Sequence, residues 1–215
     1  AVTLALYHRP GTRSVRPLWL LEEMGVPYAL VTKEYDGAYF ASGEFRAINP
    51  MGKVPVLCDG DRLIIESTAI MDYILNTHGP SELGVGPDNP EYSAYLQWFY
   101  MAESGMANYI AVSFGHRSGQ DHYWVSDEFD TYCRLQVTKA LEMLESRLAD
   151  RDYVVKTGFS AADISLGYTL FFAEFAIQPG FTGNVKAYYD RLMSRPALQK
   201  ALALQKALGD LAHKG

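Results

Sequence analysis

The chain has 215 residues, of which 48% are hydrophobic and 13% aromatic, and it carries a formal charge of −6. This length holds one large domain or two small ones with a sizeable core. The acidic balance argues against nucleic acid and anionic membrane surfaces, both of which select basic stripes. No run of about 18 apolar residues occurs, so no membrane span is expected, and the first residues lack a basic-then-apolar leader pattern. The two cysteines, Cys58 and Cys133, form no C-x-x-C, which argues against a disulfide scaffold, a zinc site and a dithiol redox motif. A reducing cytoplasm is the expected setting.

Val2 to Tyr7 alternates and is β-rich, and it reads as a first strand. Arg9-Pro10-Gly11-Thr12 reads as a turn. Val15, Leu18, Trp19 and Leu21 have helical spacing, which predicts a helix from about Ser14 to Met24 with Gly25 as its C-cap. A second strand is expected over Tyr28 to Thr32, and a short irregular helix over Phe40 to Ile48. Val54 to Cys58 and Leu63 to Ile65 read as a hairpin around Asp59-Gly60-Asp61. A helix follows from Thr68 to Thr77. The resulting order, β-α-β-α-β-β-α, begins with a parallel pair and a right-handed crossover and ends in an antiparallel edge. This is an α/β thioredoxin-like layout over residues 1–78.

Residues 79–90 are rich in Gly, Pro, Asn and Asp and read as a linker. Residues 91–215 read as an all-α domain. Tyr92 to Phe114 is a long amphipathic stretch dense in Tyr, Trp, Phe and Met. Ser126-Asp127-Glu128 opens a helix that is expected to reach Ala149. Ser160-x-x-Asp163 is a capping-box pattern ahead of Ile164, Leu166, Tyr168 and Leu170. Two further helices, Val185 to Ser194 and Ala197 to Leu211, are separated at Pro196. His116 and His122 flank a Gly/Ser-rich connection with no third ligand nearby, so no metal site is expected.

The most informative segment is Asn49-Pro50-Met51-Gly52-Lys53-Val54-Pro55-Val56-Leu57, followed by Glu66-Ser67. A proline inside a Val/Leu run cannot donate to a sheet ladder, and a cis Val54-Pro55 bond is one way to accommodate it. Val54 would then offer its N–H and C=O to a peptide-like ligand. Ser67 opens a helix whose free N–H groups suit a carboxylate. Together these features suggest a site for a small peptide with a charged end.

Four motifs in order, Ser14-x-Arg16-x-x-Trp19-Leu20-Leu21-Glu22-Glu23, Asn49-Pro50-x-Gly52-Lys53-Val54-Pro55, Glu66-Ser67-x-Ala69-Ile70 and Ser160-x-Ala162-Asp163, give the chain its resemblance. It resembles the cytosolic glutathione transferases of bacterial type over nearly its full length. The resemblance implies that the Val54 backbone pairs with the cysteinyl unit of glutathione beside a cis Pro55. It further implies that Glu66 and Ser67 hold the γ-glutamyl end and that Lys53 lies near the glycyl carboxylate. Asp163 belongs to a folding cap. A homodimer is implied, with the third and fourth helices as its interface and Glu103 reaching toward the partner's ligand.

The thiol-activating residue is where the sequence departs from the family. Gly11 occupies a position at which many members carry serine, and no cysteine stands near Arg13. Thr12 is the first candidate hydroxyl, Ser14 the second, and Tyr7 a weaker third. Met101, Ser104, Gly105, Met106, Tyr109 and Phe114 are expected to form the hydrophobic substrate site, since a Met- and Tyr-rich wall suits flat or irregular electrophiles. The expected function is attack by the glutathione thiolate on hydrophobic electrophiles. The alternative is a glutathione- or hydrophobic-ligand-binding protein with the same fold and little turnover.

Overall fold

The computed structural model describes residues 4–32, 37–119 and 125–212, which leaves His122 outside the described residues. Two compact units are present: Ala1–Ser81 with Ser194–Gly215, and Glu82–Met193.

The first unit is built on a sheet of β1 (Leu4–Tyr7), β2 (Ala29–Val31), β3 (Val56–Asp59) and β4 (Arg62–Ile65), in the order β2-β1-β3-β4. β1 runs parallel to β2 and antiparallel to β3, and β3 pairs antiparallel with β4. The thioredoxin-like order expected from the sequence is therefore present. β3 starts at Val56, two residues later than expected, after a cis peptide at Val54-Pro55. Leu4 and Leu6 alternate into the core from β1, and Val56 and Leu57 enter it from β3.

α1 (Val15–Met24) buries seven consecutive residues, from Val15 to Leu21, because it packs against α4 (Ser67–Thr77) and also against α10 (Pro196–Ala212). Pro17 lies in the first turn of α1, where its missing N–H has no helical acceptor to lose. Gly25 ends the helix in the left-handed conformation, and its N–H bonds Leu21 O. The single irregular helix expected over 40–48 is instead two helices, α2 (Gly37–Ala41) and α3 (Gly43–Ile48). They divide at Ser42, whose Oγ accepts from Phe45 N–H at 3.2 Å and caps α3. The last helix, α10, groups with this unit, whereas the chain reading kept it with the helical domain. Glu23 holds it through Arg195 at 2.6 and 2.9 Å and also accepts from Trp19 Nε1 at 2.8 Å.

The second unit contains α5 (Tyr92–Met101), a π-helical segment (Ala102–Ala107), α6 (Asn108–Arg117), α7 (Asp127–Arg147), α8 (Ala161–Ala176) and α9 (Gly183–Met193). α8 is its axis, buried without interruption from Ala161 to Leu170. The long amphipathic stretch is not one α-helix, because the π segment divides it. Two hydroxyls of α8 bond to carbonyls at this break: Ser165 Oγ donates to Phe99 O at 2.8 Å and Thr169 Oγ1 to Ala102 O at 3.1 Å. Asp163 is fully buried and accepts from Ser160 N–H (2.8 Å), Ser160 Oγ (3.0 Å), Val154 N–H (3.1 Å) and the Tyr188 hydroxyl (2.7 Å). His116 Nε2 pairs with Asp127 Oδ1 at 2.9 Å.

Candidate glutathione site

The turn after β1 forms for local reasons. Pro10 presets the second turn position, and Gly11 takes the left-handed third position with φ 70°, the type II pattern. A serine at Gly11 would be strained there, so the departure at this position follows from the turn itself. The turn closes with Thr12 N–H donating to Arg9 O at 3.3 Å.

Thr12 then presents its hydroxyl at the half-exposed rim, donating to Arg9 O at 2.7 Å and lying 2.7 Å from Ser14 Oγ. Ser14 stands at the N-cap position of α1 without capping it. Its side chain instead turns back to His8 Nδ1 at 2.7 Å and accepts from Arg9 N–H at 3.2 Å. Ser14 is 0% exposed, so its hydroxyl is out of reach of a ligand and acts only through Thr12. His8 is also buried, and that burial pushes its pKa down to about 4, partly offset by a backbone hydrogen bond at Ser14. Tyr7, the weaker candidate, packs its ring against Phe45 at 6.0 Å.

The loop carrying Lys53 and Val54 is held by Asn49, which is almost fully buried. Asn49 Nδ2 donates to Lys53 O at 2.7 Å and its Oδ1 accepts from Met51 N–H at 3.0 Å. Gly52 is required on two counts: φ is 63°, and a Cβ would stand 2.7 Å from Phe40 O. Lys53 is exposed and Val54 half-buried. Among the described residues the Val54 N–H and C=O make no hydrogen bond, which leaves both free for an extended ligand backbone.

Ser67 is the first residue of α4, and the cap position belongs to Glu66. Ser67 therefore lies inside the first turn and does not cap the helix. Glu66 is exposed and has φ 71° and ψ 117°, a conformation non-glycine residues rarely adopt. Such a residue stores about 1–3 kcal/mol of strain. Beneath it, Arg16 Nη1 donates to Ser67 Oγ at 3.1 Å, both side chains being buried. Arginine has no acceptor, so Ser67 must accept here, and its own proton is left to point elsewhere. This bond ties α1 to the start of α4.

The six residues expected to line a hydrophobic site differ in exposure and in neighbours. Met106 is 0% exposed and belongs to the core of the second unit, with no surface to offer a ligand. Met101 and Gly105 are neighbours, a Cβ on Gly105 lying 3.0 Å from Met101 Cγ. Ser104 is exposed and donates to Tyr100 O at 3.0 Å. Tyr109 meets Tyr132 of α7 edge-on at 6.1 Å, whereas Phe114 faces α8 through Phe172 at 6.3 Å and Phe175 at 5.6 Å. Burial pushes the thiols of Cys58 and Cys133 up, so neither is a thiolate reagent at neutral pH.

Sequence reasoning missed His8 and Asn49. A histidine directly after a core strand carries no motif of its own. Asn49 was legible only as part of a turn.

Residues 2–76 match the glutathione S-transferase N-terminal domain and residues 117–191 the C-terminal domain. Glutathione S-transferase 4 of Zea mays is 33% identical over 86% of this chain and 85% of its own. Glutathione S-transferase 3 of Schizosaccharomyces pombe is 27% identical over 92% and 86%. A solved structure of the glutathione transferase URE2P8 from Phanerochaete chrysosporium with oxidized glutathione superposes with a TM-score of 0.82, covering 98% of both chains at 21% identity, a likeness of fold. The chain belongs to the glutathione S-transferase family and is an enzyme of that class.

Proposed function

We propose that this enzyme binds glutathione along Val54 and the start of α4 and turns its thiol into a thiolate through the Thr12 hydroxyl. The observation that carries this reading is the Arg16–Ser67 bond at 3.1 Å, because it sets a buried guanidinium of α1 directly behind an anion-receptive helix start. Ser67 donates its free proton and its N–H to the γ-glutamyl carboxylate, and the buried guanidinium behind it adds positive potential. Glu66 receives the γ-glutamyl amino group, and its strained backbone is the kind of outlier that accompanies ligand contacts. Val54 pairs with the cysteinyl backbone beside Pro55, and Lys53 meets the glycyl carboxylate.

A free thiol has a pKa of about 8.5, so only a few per cent is ionised at neutral pH. Lowering it by two units requires about 2.7 kcal/mol. One hydrogen bond from Thr12 to the sulfur supplies about 1.5–3 kcal/mol. The adjacent N-terminus of α1 adds about 0.3–1 kcal/mol. The thiolate then displaces a leaving group from, or adds to, a hydrophobic electrophile, for which Met101, Ser104, Gly105, Tyr109 and Phe114 are the proposed contacts.

The proposed setting is cytoplasmic detoxification by a homodimer. Exposed apolar side chains on the first unit, Met51 at 64% and Leu63 at 51%, support association. The decisive experiment follows the thiolate absorbance of enzyme-bound glutathione across pH. A lowered thiol pKa that rises again in Thr12→Val is expected. A lowered pKa indifferent to Thr12→Val removes Thr12 from the mechanism.

A further inference from the structure

Among the described residues, His8 Nε2 is buried without a hydrogen-bond partner, while Nδ1 lies 2.7 Å from Ser14 Oγ. The ring is 2% exposed and sits directly after β1, its own N–H donating to Val31 O at 3.0 Å. A neutral imidazole carries one proton, on one nitrogen or the other. Which nitrogen it is decides what Thr12 can do.

The protons can be counted. Ser14 Oγ has one proton and four polar neighbours. Arg9 N–H at 3.2 Å can only donate to it, and Arg9 O at 3.1 Å can only accept. His8 Nδ1 and Thr12 Oγ1, both at 2.7 Å, can do either. With the imidazole proton on Nε2, Nδ1 is an acceptor and takes the Ser14 proton. The Thr12–Ser14 contact then needs the Thr12 proton, and none remains for a ligand. The Nε2–H is also left buried without an acceptor, a costly arrangement.

With the proton on Nδ1 the chain runs the other way. His8 donates to Ser14, and Ser14 donates to Thr12. The Thr12 proton, which bonds Arg9 O at 2.7 Å, is then free to swing outward. Only a bare nitrogen lone pair is left unpartnered. Burial holds the ring neutral, with a pKa of about 4, so the uncharged form persists through the working range. Successive hydrogen bonds of this kind polarise one another and strengthen the last donor.

We infer that His8 is held as the Nδ1–H tautomer and is a positioning residue, directing the Ser14 and Thr12 hydroxyl protons toward the sulfur of bound glutathione. This rests on Thr12 being the thiol donor. His8 touches no substrate and transfers no proton; it fixes the direction of two others.

The first test is nitrogen-15 NMR of the imidazole rings, with the His8 signals identified by their loss in His8→Asn. A protonated Nδ1 beside an unprotonated Nε2 at neutral pH is expected, and the opposite tautomer overturns the inference. The second test compares two variants by the thiolate absorbance of bound glutathione. His8→Asn keeps an amide donor near the Nδ1 position, whereas His8→Leu removes it.

The thiolate fraction at pH 7 should fall about three- to tenfold in His8→Leu. His8→Asn should recover most of it, and the dissociation constant of glutathione should stay unchanged in both. A lowered thiol pKa that His8→Leu leaves untouched overturns this inference and spares the reading of Thr12. An unshifted thiol in the wild type overturns Thr12 as donor and the role of His8 with it. Should His8→Leu fail to fold, the tautomer in the wild type still decides.

Discussion

The two units each bury a polar cluster, and the clusters differ in how completely they are satisfied. Around Asp163 in the second unit, four donors converge on two carboxylate oxygens. Around His8 and Ser14 in the first, two hydroxyls share contacts that each allow either direction, and one ring nitrogen has no partner. The saturated cluster has one arrangement and holds a fold. The unsaturated cluster has proton positions to spare and suits a site that must answer a ligand. Burial alone does not separate the two, since Asp163 and Ser14 are both fully buried.

The largest expected effect breaks the saturated side. Asp163→Ala leaves four donors without an acceptor and should destabilise the protein by about 4 kcal/mol. Urea unfolding should show a lower midpoint at an unchanged slope, and a loss under 1 kcal/mol would remove the contrast. Next comes acid titration of the unsaturated side. His8 has a folded pKa of about 4 against 6.5 for the free group, because burial disfavours the cation. Its contribution is fully present above pH 6.5 and is lost as pH falls toward 4, amounting to about 3 kcal/mol. Burial raises the Asp163 carboxyl, which acts in the opposite sense. The difference between wild type and His8→Asn isolates the histidine, and matching pH–stability curves would refute its burial as a neutral ring.

Smaller effects sharpen the comparison at the ligand. Ser67→Ala should weaken glutathione binding about tenfold to a hundredfold by calorimetry, since a hydrogen bond to a carboxylate is lost. Unchanged affinity would reduce Ser67 to a partner of Arg16. Thr12→Val should cost about 1 kcal/mol or less of stability while lowering turnover more than substrate affinity, because its hydroxyl sits at a half-exposed rim. Smallest is Lys53→Ala. An exposed lysine facing a carboxylate contributes about 0.2–1 kcal/mol and should fade with added salt.

Much of this was legible in the sequence, and the reasons differ by element. The order of elements in the first unit followed from alternating apolar runs and turn residues, and the α8 start from Ser160 and Asp163. The loop from Asn49 to Pro55 was legible because a proline and a glycine there each demand a special backbone. The π segment at 102–107 was not legible, since its residues have ordinary helical periodicity and the shift depends on hydroxyls donated from α8. The placement of α10 was equally hidden, because an amphipathic helix does not say which surface it covers. His8 escaped, although Ser14 beside it was legible as a hydroxyl, because what matters is the direction of a proton, set by neighbours in space. The inward place of Met106 was not legible, because helical spacing alone does not tell an inward methionine from an outward one.

The placement of α10 has a consequence for biosynthesis. In topological terms the second unit is an insertion: the chain leaves the first unit at Ser81, traverses Glu82–Met193, and returns at Ser194. Residues 1–81 are translated before Arg195, which pairs with Glu23, and before α10, which covers α1 and pairs Lys200 with Glu22. The contiguous helical unit, translated later, has all its parts first. Vectorial synthesis therefore favours an order in which the second unit is finished before the first, against the usual N-terminal precedence. A fragment ending near Met193 should retain helical signal while its first unit exposes apolar α1 surface to chaperones and proteases.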